Sequence, residues 1–213
     1  LALVRLIFIA YNYRRFDLLP DKFDRLEQLF RAGQMYSKRI LLNFYSQKLL
    51  ACARAHDFDQ AAYFGYLSVR AQNSDHLYYV NNFAAVLLRK QQAAEALRVL
   101  REALPEARAS QNFHNKIGHA AYITMALNQL GQYRQAETHA KTFFDAYKKE
   151  VFEHRWQLFF NTWLEALLRQ EQGVKVLKVA QTNQLAKRDA AYRESPNYTP
   201  ALPWILALAT WQA

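Results

Sequence analysis

Six histidines and a single cysteine are the side chains here best suited to holding a metal or attacking a substrate, and their spacing favours neither. His114 and His119 are five apart, off a shared helical face, and neither has a carboxylate at ligand spacing. His154 beside Glu153, and His139 near Glu137, read as solvated or locally paired residues. Cys52 lies in an apolar stretch with Leu49, Leu50 and Ala53, with no positive group or helix start to activate it, so packing is its expected role. The five glycines, at 33, 65, 118, 131 and 173, are too scattered to cradle a phosphate, which excludes a Walker or Rossmann site. The expectation is a non-enzyme without catalytic residues, cofactor or metal.

Aromatic residues offer a second kind of chemistry, stacking on unpaired bases, which also needs cations. The chain has 14 Phe, 13 Tyr and 4 Trp, and 28 Lys plus Arg against 18 Asp plus Glu, a net charge of +10. Such a field attracts phosphates, anionic lipid and acidic peptides alike. No run of like charge is long enough to form a basic tail. Trp156, Phe159, Phe160 and Trp163 recur at three and four residues, the spacing of a buried helix face.

The elements that position these residues are helices. Hydrophobic residues make up 52% of 213, with five Gly and five Pro, which argues against disorder and against a turn-rich β fold. One cysteine permits no intrachain disulfide, and the chain fits a reducing, cytoplasmic compartment. Leu1 to Ala10 is apolar but interrupted by Arg5 and too short to span a bilayer, so it reads as a buried first helix. It shows no basic start or small-residue cleavage site of a signal peptide, and a start at Leu1 rather than Met suggests a chain cut from something longer.

A repeat organises the rest. The segments ending at Ala61, Ala96, Ala136 and Val176 each separate two helix-like stretches, at intervals of 35, 40 and 40. Before the third lie Ile117, Ala120, Ile123 and Leu127, and after it Ala136, Ala140, Phe143 and Phe144, at helical spacing on both sides. Gly131 can supply the positive backbone dihedral that ends a helix, and Ala61, Ala96 and Ala136 allow close helix approach. One hairpin cannot bury its apolar face alone. Stacking successive hairpins makes a continuous core, the logic of an α-solenoid.

Asn81 to Leu88, Ala93 to Ala96, and Leu97 to Leu104 with Pro105 closing it together resemble one complete tetratricopeptide repeat. Leu127 to Leu130, Gly131, Tyr133 and Ala136 resemble the middle of another. Two copies depart from the pattern: Gly173 and Val176 replace the usual aromatic and alanine, and the copy at Phe58 is ambiguous in register. Intervals of 40 also exceed the family's ~34 residues. The resemblance implies an all-α, right-handed α-solenoid of antiparallel hairpins. Its boundaries fall at 1–36 for N-terminal helices or a degenerate first repeat, 37–190 for about four hairpins, and 191–213 for a turn and a C-terminal packing helix.

In such arrays the first helix of each hairpin lines a concave groove. Superposing the junctions places Asn43, Tyr78, Gly118 and Leu158 at one groove position, Ser46, Asn81, Ala121 and Asn161 at a second, and Arg54, Arg89, Gln129 and Arg169 at a third. The candidate groove residues are therefore Asn43, Ser46, Arg54, Tyr78, Asn81, Arg89, Gln129, Asn161 and Arg169. Their alternative role is that of ordinary solvated helix residues, with the arginines complementing their own helix ends. Some family members clamp a terminal carboxylate from three hairpins, but Gly118 and Tyr122 stand where cations are needed, and that activity is not transferred. The expected function is a protein-interaction scaffold with a protein or peptide partner, including an acidic one. The alternatives are an RNA-binding helical repeat, favoured by the charge but not by unequal spacing, and a regulatory or sensor domain of a larger protein.

Overall fold

The computed structural model describes residues 3, 6, 7, 9, 19–32, 38–70, 76–193 and 200–213. Most of the first expected helix and the turn at Ser195 to Thr199 lie outside them. Among the described residues there is no strand, and twelve helices follow in order. They are α1 (Leu19–Arg31), α2 (Lys38–Arg54), α3 (Phe58–Arg70), α4 (His76–Arg89), α5 (Ala93–Glu102), α6 (Leu104–Ala109), α7 (Phe113–Gln129), α8 (Tyr133–Glu153), α9 (Trp156–Leu168), α10 (Gly173–Thr182), α11 (Leu185–Tyr192) and α12 (Ala201–Gln212). The chain forms two compact units, Leu1–Gln92 and Ala93–Ala213.

The junctions share one backbone device. His56, Gln91, Gly131 and Glu171 all have φ between 57° and 71°, at the same intervals of 35, 40 and 40 seen in the sequence. At each, the next amide donates to a carbonyl five residues back: Asp57 to Cys52, Gln92 to Leu87, Gln132 to Leu127 and Gln172 to Leu167. The left-handed residue's own amide donates three back, to Ala53, Leu88, Asn128 and Leu168 respectively. This pair of bonds is the Schellman motif, which satisfies carbonyls left open where a helix stops. Only one of the four positions is glycine. A side chain in the left-handed region costs about 1–2 kcal/mol, of which glycine's greater unfolded-state freedom returns about half. Gln91 and Glu171 are exposed. Changing either to glycine should therefore stabilise its unit by about 0.5–1 kcal/mol in urea denaturation. Gly131→Ala should cost a similar amount, since an added Cβ there meets nothing within 4 Å and the penalty is purely conformational. Unchanged midpoints would remove the backbone argument.

In the first unit α2, α3 and α4 pack on one another, each on the next and α2 also on α4. Leu49 and Ala53 of α2, Ala61 of α3 and Val86 of α4 share a core. Gly65 of α3 lets the Phe83 ring of α4 approach to 2.5 Å from where a Cβ would stand. Ile7, Leu19, Phe23, Leu26 and Phe44 form a neighbouring cluster, in which the Lys48 ammonium lies 5.3 Å from the Phe23 ring centre.

The second unit repeats the arrangement with α7, α8 and α9 in mutual contact, α5 against α7, and α12 against both α9 and α10. Its core is aromatic: Phe144 of α8 meets Phe159, Phe160 and Trp163 of α9 at 5.2–6.3 Å between ring centres. Trp156, Phe159, Phe160 and Trp163 are all buried, as their spacing implies. The sequence did not indicate three features. Pro105 opens α6 rather than only closing α5; α8 is bent at Tyr147, where φ is −133° and ψ 36°; and α11 is an additional helix entered through a left-handed Gln184.

Candidate functional site

Helix α9 has two faces. Phe159, Phe160, Trp163, Leu164 and Leu167 enter the core, while Leu158, Asn161, Glu165 and Leu168, at intervals of three and four, are only partly buried, with Leu158 and Leu168 resting on the edge of that core. That second face forms the floor of a cavity of about 1150 Å³. Its walls are His114 and Met125 of α7 on one side, and Trp204, Ile205, Leu208 and Trp211 of α12 on the other. The cavity opens to solvent past Trp204 and Trp211, whose side chains are 73% and 85% exposed.

The wall formed by α12 depends on a glycine. A Cβ on Gly173, the first residue of α10, would stand 2.5 Å from the Ala209 carbonyl oxygen and 2.8 Å from the Gln212 Cβ. Backbone therefore lies against backbone at this point, with Leu202 and Ala209 buried and Gln212 donating to the Leu168 carbonyl at 3.2 Å. The position that departs from the repeat pattern is where the last helix docks.

The other end is electrostatic. Arg155, the residue before α9, lays its guanidinium over Gly118, where a Cβ would be 2.8 Å from Nη1. Its Nε donates to His114 Nε2 at 2.8 Å. This bond requires a bare Nε2 on His114, consistent with the lowered pKa that burial and the neighbouring Arg155 and His154 give that ring. Among the described residues Arg155 pairs with no carboxylate, and the first turn of α9 contains no acidic residue. Arg169 at the opposite end pairs with Glu165 at 3.7 Å. One end of the cavity therefore carries uncompensated positive charge, while at the other the charge of Arg169 is paired.

Of the residues expected in the groove, Asn161 and Arg169 line this cavity, as does Leu158 from the same superposition. Asn161 Oδ1 is buried and accepts no hydrogen bond. Gln129 is exposed at the end of α7, and Gly118 is the notch that Arg155 fills. In the first unit, Arg54 and Arg89 are exposed in the last turns of α2 and α4, where they complement the negative helix ends. Ser46 and Asn81 are 2% and 4% exposed and lie inside the packing. Asn43 accepts from the Tyr79 hydroxyl at 3.4 Å, and Tyr78 is half-buried against Tyr79. Arg155, His114 and the α12 wall were not among the groove candidates, His114 having been weighed only as a metal ligand. The available signal was Gly118 itself, a bare position where a neighbour's side chain has room.

The remaining candidates take structural places. Burial and Asp57 push the Cys52 thiol up, away from a reactive thiolate. Among the described residues no three of His, Cys, Asp or Glu stand together as a metal site would require, and no helix is long and apolar enough to cross a membrane.

No family model matches the chain, and neither does any curated protein. Its class is that of an all-α protein, in each of whose two units neighbouring helices pack on one another. Within that class it carries a groove over α9, cationic at one end and walled along one side by an apolar helix.

Proposed function

We infer that the chain is a non-enzymatic interaction module, a tetratricopeptide-like α-solenoid whose groove holds a peptide or a segment of another protein. The main support is the groove itself: three positions that the repeat register assigns to one helix face, Leu158, Asn161 and Arg169, line one cavity. The recurring left-handed cap at 56, 91, 131 and 171 supports the repeat. Binding would require little rearrangement, because α9 is anchored by its aromatic face and α12 by Gly173, so the groove is preorganised.

A random-peptide display library selected on the immobilised protein tests this reading. Enriched peptides should lose about tenfold in affinity, equivalent to ~1.4 kcal/mol, against Leu208→Glu. Leu208 is 55% exposed, so that change leaves the core intact. No enrichment, or equal binding to the variant, would overturn the proposal. The net charge of +10 favours RNA as the other reading. Mixed-sequence single-stranded RNA should bind weakly and be lost near physiological salt, as phosphate contacts predict; tight sequence-selective binding there would favour RNA instead.

A further inference from the structure

We propose that the groove over α9 selects an extended acidic–apolar segment, with one side-chain carboxylate held by Arg155 and apolar side chains lying toward Trp204 and Leu208. This rests on the interaction reading above and specifies its ligand. The argument begins with length. Helix α9 has 13 residues, so the groove is about 20 Å long, the span of about six residues of extended chain. A helix keeps its backbone N–H and C=O groups bonded within itself, whereas an extended chain leaves them free to meet the polar side chains of the floor, such as Asn161. An extended backbone with alternate side chains directed inward fits better.

Charge then sets the direction. The guanidinium of Arg155 is fixed from below by the Gly118 notch and from the side by His114 Nε2, so its orientation is established before a ligand arrives. It has no carboxylate partner among the described residues, whereas Arg169 at the far end is already occupied by Glu165. A planar fork held in place beside low-dielectric walls favours a carboxylate over a neutral amide. Along the α12 wall the chemistry is apolar. Trp204 and Leu208 present exposed apolar surface that water solvates poorly. Between the two ends Asn161 lines the cavity, and its side-chain amide is the polar group there for an extended ligand's backbone to meet.

The test uses synthetic peptides acetylated and amidated at their termini, so that any carboxylate is a side chain. Leu and Trp alternate along each peptide, and a single Glu is moved through the remaining positions; each peptide has a twin with Gln in place of Glu. Fluorescence anisotropy at low salt should show the best Glu peptide binding about tenfold more tightly than its twin. Arg155→Gln should abolish that preference while leaving the affinity for the Gln twin nearly unchanged. Arg155→Lys keeps the charge, retains part of the preference, and guards against a folding artefact. If the twins bind the native protein alike yet both are lost with Leu208→Glu, the carboxylate assignment falls and the interaction reading stands. A preference that survives Arg155→Gln also overturns it. If neither these peptides nor the display library yields a binder, both proposals fall together.

Discussion

Gly173→Val should release the last helix from the second unit and lower that unit's stability by about 3 kcal/mol, the upper end of what overpacking costs. The magnitude follows from what the added carbon meets. At Gly65 and Gly118 the obstructing atoms belong to side chains, which can shift; at Gly173 the nearest is the Ala209 carbonyl oxygen, at 2.5 Å. Backbone can move only if α12 moves as a body. Helix propensity opposes the effect, since replacing a helical glycine returns part of about 1 kcal/mol, so a net loss would mean that the clash dominates. Displacing α12 would also uncover Leu202 and Ala209 and remove one wall of the groove. Hydrogen exchange should therefore rise first in residues 201–212, and peptide binding should be lost before global unfolding. If the variant keeps the native denaturation midpoint and protection in α12, then Gly173 is not what holds that helix.

The same glycine shows where the sequence was informative and where it was not. Helical period and the intervals of 35, 40 and 40 located the breaks between helices, because small and polar residues between apolar runs are a local signal, and the left-handed caps recur at those intervals. Three of those caps carry His, Gln and Glu, which do not indicate a left-handed turn by type; only Gly131 does. Gly173 looked like a lapse from the repeat pattern because its reason lies 36 residues away in Ala209. Arg155 was missed for a related reason. It sits in the linker between α8 and α9, outside the superposed groove positions, and reaches Gly118 only because the chain bends there. Ser46 and Asn81 satisfied the register but are buried, since the superposition fixes position along a helix and not the depth of packing over it.

Acidification should destabilise the second unit through His119. This ring is 2% exposed, and its Nε2–H donates to the Leu100 carbonyl at 2.9 Å, which fixes the tautomer. Burial outweighs that hydrogen bond, and with nearby His139 opposing a second positive charge, the pKa falls from 6.5 to about 4. His139 is shifted in the same direction, chiefly by burial, against a backbone hydrogen bond to Ala120. Because the folded pKa lies below the unfolded one, the contribution to stability is complete above pH 6.5. It declines as pH falls toward 4, since over that window the unfolded chain takes up a proton that the folded chain refuses. At ~1.4 kcal/mol per unit, the loss attributable to His119 approaches about 3 kcal/mol and then levels off. Glutamine can keep the donated hydrogen bond without titrating, so His119→Gln should flatten the dependence at a modest cost near neutrality. Urea denaturation of both proteins across this range isolates the histidine from the carboxylates, which titrate in both. A His119 resonance that titrates near 6.5, or identical pH slopes in the two proteins, would refute the assignment.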